Sequence, residues 1–110
     1  MDGTSMKTER PWGYYTVLHE VPGMKVKELT VNPHSQLSMQ RHKQRSEYWI
    51  VSEGRALVKF ETTSVFLGPH EAADIDVGAW HQLINPHDQP LKIVEIQYGL
   101  DCVEEDIERQ

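Results

Sequence analysis

Short runs of alternating or wholly apolar residues recur along the chain: "YYTVL", "MKVKELTV", "YWIVS", "RALVKF", "SVFL", "HQLI" and "LKIVEIQYG". Period-two alternation, or an apolar run too brief for a helix, is the mark of a β-strand. Turn-forming clusters separate these runs: "VPG" at 21–23, "NPHS" at 32–35, "SEGR" at 52–55, "LGPHE" at 67–71 and "NPHDQP" at 85–90. Short strands with frequent turns predict an all-β sandwich or barrel. Within "RALVKF", Ala56, Val58 and Phe60 share one face, while Leu57 lies on the other beside Arg55 and Lys59, as in a half-buried antiparallel strand. Only "DCVEEDIERQ" has helical character, and its acidity predicts a short exposed helix or a frayed tail.

At 110 residues the chain amounts to one domain, able to bury roughly 60 to 70% of the surface its unfolded form exposes. Its 38% hydrophobic and 25% charged content is that of a globular protein, and no apolar run approaches the ~18 residues of a membrane-spanning helix. The polar opening "MDGTSMKTERPWG" lacks the apolar middle of a secretory signal, so a cytoplasmic protein is expected. Residues 1–9 are expected to form a loosely ordered tail ahead of a single domain over 10–110. The single cysteine, Cys102, excludes an internal disulfide, fits a reducing compartment and offers no thiolate cluster for zinc. A net charge of -6 argues against nucleic-acid binding, which needs a basic face, and requires that any bound anion find a local basic patch.

Six histidines are the candidate chemistry. His19, His34, His70 and His87 stand in or beside turns without a second ligand at useful spacing, and read as surface residues. His42 differs: Gln40 lies two residues before it, so on an extended strand both side chains project to one face. Glu47 follows, where the strand "EYWIV" can return its carboxylate to the same cavity. His81 would join from "DVGAWHQLIN", in which Gly78 supplies a tight turn ahead of a strand.

The segment His34 to Gly54, "HSQLSMQRHKQRSEYWIVSEG", resembles the first motif of the cupin superfamily, and "HEAADIDVGAWHQLIN" is similar to the second, with Asp76 where proline is usual. "RPWGYY", "LSMQRHKQRSEYWIVSEGRA" and "IVEIQYGLDCVEEDI" further resemble the cupin domain of type II phosphomannose isomerases, over residues 10 to 109. The resemblance implies an all-β double-stranded β-helix (jelly-roll) cupin barrel, pairing as a homodimer through an outer sheet. It makes Gln40, His42, Glu47 and His81 the ligands of one divalent transition metal, Gln40 replacing the usual first histidine. Two nitrogen and two oxygen donors are compatible with Zn, Mn, Fe, Ni or Co. In that family the domain follows a mannose-1-phosphate guanylyltransferase domain, for which these 110 residues leave no room, so that activity is not carried over. His34, Lys43, Gln44, Gln82 and Ile84 depart from the family pattern and bear on substrate choice.

The activity implied is mannose-6-phosphate isomerisation, an aldose–ketose interconversion on a sugar phosphate. It needs a group to polarise the carbonyl and a base to move a proton between adjacent carbons. Glu95 and His34 are the candidate bases. If Leu91 and Ile93 point inward, Glu95 and Gln97 do too, and Gln97 would reach substrate; if Val94 and Ile96 face the core instead, Glu95 faces water. Arg41, Lys43 and Arg45 offer phosphate contacts, Arg45 matching an arginine of the family stretch and counted with Glu95 as catalytic. A solvated cationic turn is the other meaning of such a run. The alternative function is a small cupin, non-catalytic or oxygenase-like, binding a sugar or carboxylate, and fold alone does not choose.

Overall fold

The computed structural model describes residues 6–99 and 102–110, and every regular element among them is a β-strand. In chain order these are β1 (Lys7–Arg10), β2 (Gly13–Val21), β3 (Met24–Val31), β4 (Gln40–Arg41), β5 (Arg45–Glu53), β6 (Ala56–Phe60), β7 (Ser64–Leu67), β8 (Ala72–Ile75), β9 (His81–Ile84), β10 (Leu91–Gly99) and β11 (Glu108–Arg109). They make two antiparallel sheets, β1-β2-β3-β10-β5-β8 and β11-β4-β9-β6-β7. Strands distant in sequence lie side by side, β10 between β3 and β5 and β9 between β4 and β6, which winds the chain into the expected double-stranded β-helix. The inner faces share one core, with Leu29, Val31, Trp49, Val51 and Ile93 from one sheet meeting Val58 and Leu83 from the other. Each such aliphatic side chain removed from water contributes about 1.5–3 kcal/mol.

Along the first sheet the inner face changes character row by row. Leu91 pairs with Val31, and Ile93 lies between Leu29 and Val51. The next row sets Glu95 between Lys27 and Trp49, and the one after it sets Gln97 between Lys25 and Glu47. The apolar rows close one end of the barrel, while the polar rows bury Lys27, Glu95, Gln97 and Glu47 inside the other. Of the two parities open for β10, the inward one holds: Leu91, Ile93, Glu95 and Gln97 are buried, whereas Lys92, Val94 and Ile96 are only half-buried. The alternation in "RALVKF" is also found, with Ala56 and Val58 buried, Phe60 packed on the core and Lys59 exposed.

Two backbone details fix this arrangement. A Cβ on Gly99 would lie 2.1 Å from the Gln44 carbonyl oxygen, so only glycine lets the end of β10 close on the start of β5 and set Gln97 beside Glu47. Asn85, fully buried, donates from Nδ2 to the carbonyls of Val31, Asn32 and Gln89, and its Oδ1 accepts from the His87 N–H. One amide thereby ties the end of β3 to the turn that follows β9 and supplies backbone groups there with partners.

Both chain ends correct the reading from sequence. The carboxyl segment is neither helix nor frayed tail: a turn over 104–106 leads into β11, which pairs with β4 through Glu108↔Arg41 and Arg109↔Gln40. At the amino end, Lys7–Arg10 is not loose but forms β1 against β2, with Glu9 opposite Tyr14 and the Lys7 ammonium 4.2 Å from the Tyr14 ring centre. Residues 1–5 of the expected tail lie outside the described residues. Among the described residues no helix is long and apolar enough to cross a membrane.

Candidate metal centre

Three strands deliver the site. Gln40 on β4 is the direct neighbour of His81 on β9, His42 follows β4, and Glu47 sits on β5. The turn before β9 needs Gly78 at a φ of 80°, and its N–H donates to the His42 carbonyl at 2.7 Å, stapling the two histidine segments together. His42, Glu47 and His81 are buried, and one ligand atom from each lies within 4.8 Å of the others. Gln40 lines the same cavity, its amide nitrogen donating to the Ser38 carbonyl at 3.3 Å.

The ring nitrogens are assigned by what they face. His42 Nδ1 lies 2.6 Å from the Asp106 carbonyl oxygen and His81 Nδ1 2.8 Å from that of Ala79. A carbonyl only accepts, so both Nδ1 atoms carry the proton. Burial pushes the His81 pKa down to about 4 and lowers that of His42, so both rings are neutral near pH 7 and direct an Nε2 lone pair inward. Those lone pairs meet the Glu47 carboxylate, His42 Nε2 at 3.2 Å from Oε2 and His81 Nε2 at 3.7 Å from Oε1. With neutral rings these contacts are acceptor against acceptor rather than ion pairs. His81 Nε2 is buried with no hydrogen-bond partner, which costs about 1–3 kcal/mol unless something satisfies it. Converging lone pairs on a carboxylate, with the far ring nitrogens anchored on carbonyls, are what a cation would satisfy, so the residues fit a metal.

Beside this cluster the Trp49 indole donates to Glu47 Oε1 at 3.0 Å and to Glu95 Oε2 at 3.1 Å, holding two carboxyl groups on one donor. Gln97 Nε2 donates to Glu95 Oε1 at 2.9 Å, and Gln97 Oε1 is buried without a partner. Burial first, then the charge and hydrogen bond of Glu47, raise the Glu95 pKa to about 8, so it is largely protonated at neutral pH.

The cationic run divides. Arg45 is buried inside the cup rather than on its rim, with Nε donating to Glu47 Oε2 at 2.9 Å, Nη2 to His42 Nε2 at 3.3 Å and Nη1 to the Val103 carbonyl at 3.1 Å. Its fork is engaged by the protein itself. Lys43 is exposed and paired with Glu108 at 3.1 Å, outside the residues lining the cavity, which corrects its placement as a substrate contact. Arg41 also faces outward, 4.8 Å from the Trp80 ring centre and paired with Glu108. His34 pairs with Asp88 away from the cavity, which leaves Glu95 as the candidate base. Reading the sequence missed Lys27, Tyr15, Trp49 and Glu104, all of which line the cavity of about 100 Å³. The signal for Lys27 was present in "MKVKELTV", where it shares parity with Leu29 and Val31.

Residues 2–110 match the family described as mannose-6-phosphate isomerase, C-terminal. The chain belongs to that family. It is 39% identical over 100 residues to the alginate biosynthesis protein AlgA of Pseudomonas aeruginosa, covering 91% of this chain and 21% of that protein. To the mannose-1-phosphate guanylyltransferase of Escherichia coli it is 38% identical over 100 residues, with 91% and 21% covered. The chain thus spans about a fifth of the length of these curated relatives. Among solved structures, the capsular polysaccharide assembling protein CapF of Staphylococcus aureus superposes with a TM-score of 0.85 at 17% identity, over 96% of this chain and 34% of that one. A sugar phosphate isomerase of the cupin superfamily from Silicibacter pomeroyi gives 0.68 at 17% identity, over 76% and 59%. At such identities the likeness is one of fold, and it is the cupin fold that this member of the isomerase C-terminal family shares.

Proposed function

We propose that the chain carries a metal-dependent isomerase activity on a sugar phosphate of the mannose 6-phosphate type, interconverting aldose and ketose in the cytoplasm. The supporting observation is the pair of neutral histidine Nε2 atoms, each with its Nδ1 on a carbonyl, converging on Glu47. Gln40, His42, Glu47 and His81 would hold one divalent ion, and the mixed nitrogen and oxygen donors suit Zn, Mn, Fe, Ni or Co. When bound, such an ion supplies Lewis-acid polarisation of the substrate carbonyl.

The rest of the work belongs to side chains. Isomerisation takes the proton from C2 of the aldose and returns one to C1, while the hydroxyl proton passes to the old carbonyl oxygen. A carboxyl with a pKa of about 8 offers, close to the working pH, both the ionised form that takes the proton and the protonated form that returns it. Trp49 and Gln97 clamp Glu95 in place, and Gln97 Oε1 can accept a sugar hydroxyl. Arg45 acts as a positioning residue, orienting Glu47 through its Nε.

The test is turnover of mannose 6-phosphate, with unphosphorylated mannose as control, by protein loaded in turn with each of the five ions. No interconversion with any of them sinks the reading. One observation favours the non-catalytic alternative: the Arg45 guanidinium already neutralises Glu47 and donates to His42 Nε2. Under that reading purified protein carries no metal. A homodimer is supported by the half-buried apolar outer face of β3, β5 and β10, where Val26, Tyr48, Ile50, Val94 and Ile96 lie; sedimentation showing only monomer at micromolar concentration removes it.

A further inference from the structure

Lys27 is a buried ammonium with no part in the cluster of His42, Glu47 and His81. It stands on β3 directly opposite Glu95 on β10, and its side chain lines the cavity. Its Nζ lies 4.1 Å from the centre of the Tyr15 ring, and the Arg10 guanidinium is 5.3 Å from the same centre. An aromatic face draws cations without neutralising them. Among the described residues the only carboxylate paired with Lys27 is that of Glu104, which is hydrogen-bonded to Nζ. Arg10 donates to the Glu9 carbonyl and, among the described residues, has no carboxylate partner. Two cations therefore gather about one aromatic ring, and among the described residues the pair has one carboxylate partner, Glu104 on Lys27. Glu104 also sits in the turn over 104–106 rather than in a strand, with its side chain 44% exposed, so it can leave Lys27 without breaking a ladder.

We propose that Lys27, Arg10 and Tyr15 form an anion subsite of the cavity, that Glu104 fills it as the chain's own anion, and that the phosphate of a phosphorylated ligand displaces Glu104 there. A phosphomonoester carries about -1.5 to -2 charges and three acceptor oxygens, against one charge and two oxygens for a carboxylate, so it satisfies two cations better. The inference deepens the isomerase reading: it places the phosphate on the β3 side of the cavity, beyond Glu95 from the metal-ligand cluster.

Inorganic phosphate, mannose 6-phosphate and mannose are titrated calorimetrically into wild type, Glu104→Gln, Lys27→Met and Arg10→Gln. A charge-assisted hydrogen bond gained or lost should change affinity about tenfold. Expected is roughly tenfold tighter binding of both phosphates by Glu104→Gln, roughly tenfold weaker binding by Lys27→Met and Arg10→Gln, and no change for mannose. Affinity in Glu104→Gln equal to or below wild type overturns the proposal, because Glu104 would then only anchor its turn. Unchanged phosphate affinity in Arg10→Gln overturns it too, and that exposed site keeps the test valid if Lys27→Met does not fold. Absence of phosphate binding to every protein overturns it as well. Phosphate binding in the expected order without isomerase turnover leaves the subsite standing and removes the reaction; turnover with phosphate affinities unmoved does the reverse.

Discussion

The imidazoles of His42 and His81 face one another with ring centres 5.2 Å apart and planes tilted by 45°, each held by Nδ1 on a backbone carbonyl. Neither ring can donate inward; His42 Nε2 accepts from Arg45 Nη2, while His81 Nε2 is left for a cation to satisfy. His42→Ala and His81→Ala should each lose most bound metal, whereas Gln40→His should keep or tighten it, since imidazole outranks an amide for borderline ions. Elemental analysis of the purified variants measures this directly; undiminished metal in both alanine variants dismisses the site.

Arg45 and Glu47 form a buried ion pair at 2.9 Å, and removing one partner of such a pair strands the other charge. Arg45→Met should destabilise metal-free protein by about 3 kcal/mol in urea unfolding. Added Zn²⁺ or Mn²⁺ should then raise the melting temperature more in Arg45→Met than in wild type, because the ion takes over the neutralisation of Glu47. Equal shifts in the two proteins would show that the guanidinium and the ion do not share that role.

The carboxyl segment should loosen in acid. Burial alone would raise the Glu104 carboxyl, but the hydrogen bond and charge of Lys27 outweigh it and hold the group below its ordinary 4.5. Hydrogen bonds from Lys43 and then Arg41 lower Glu108 in the same way. A depressed pKa adds stability above the unfolded value and loses it as pH falls through the folded one, so these ties weaken below about pH 4.5. Hydrogen exchange should show residues 102–110 losing protection at higher pH than β10. Simultaneous loss would mean the segment has no separate acid response.

Asn85→Ala should cost about 3 kcal/mol, since it deprives three carbonyls, that of Val31 buried, and one N–H of their shared partner. A urea midpoint within error of wild type would show that water replaces the amide.

Long, regular strands were legible in sequence: "MKVKELTV", "HQLI" and "LKIVEIQYG" coincide with β3, β9 and β10. The direction of Glu95 was not, because Val94 and Ile96 make the outer face of β10 nearly as apolar as the inner one, and alternation loses its contrast. β4 is two residues long and carries no pattern. The carboxyl segment misled because its acidic residues find partners far away in the chain. Glu104 meets Lys27, and the Asp106 carboxylate accepts from the N–H groups of Lys43 and Gln44. The spacing of His42, Glu47 and His81 brought them together in space, whereas the cationic run did not act as a unit: Lys43 lies in the bend between β4 and β5 and is exposed, while Arg45, the first residue of β5, is buried.

The boundary between apolar and polar rows inside the barrel bears on how this protein will respond to directed evolution. Lys27, Arg45, Glu47 and Glu95 are charged or ionisable groups held out of water, and buried ion pairs replaced by well-packed apolar side chains are often neutral or stabilising. A library screened only for heat resistance or expression yield will therefore enrich Leu, Met and Phe at these positions, in combinations that fill the cup. Such winners would fold well, melt late and bind nothing, so selection on this scaffold has to include ligand from the first round.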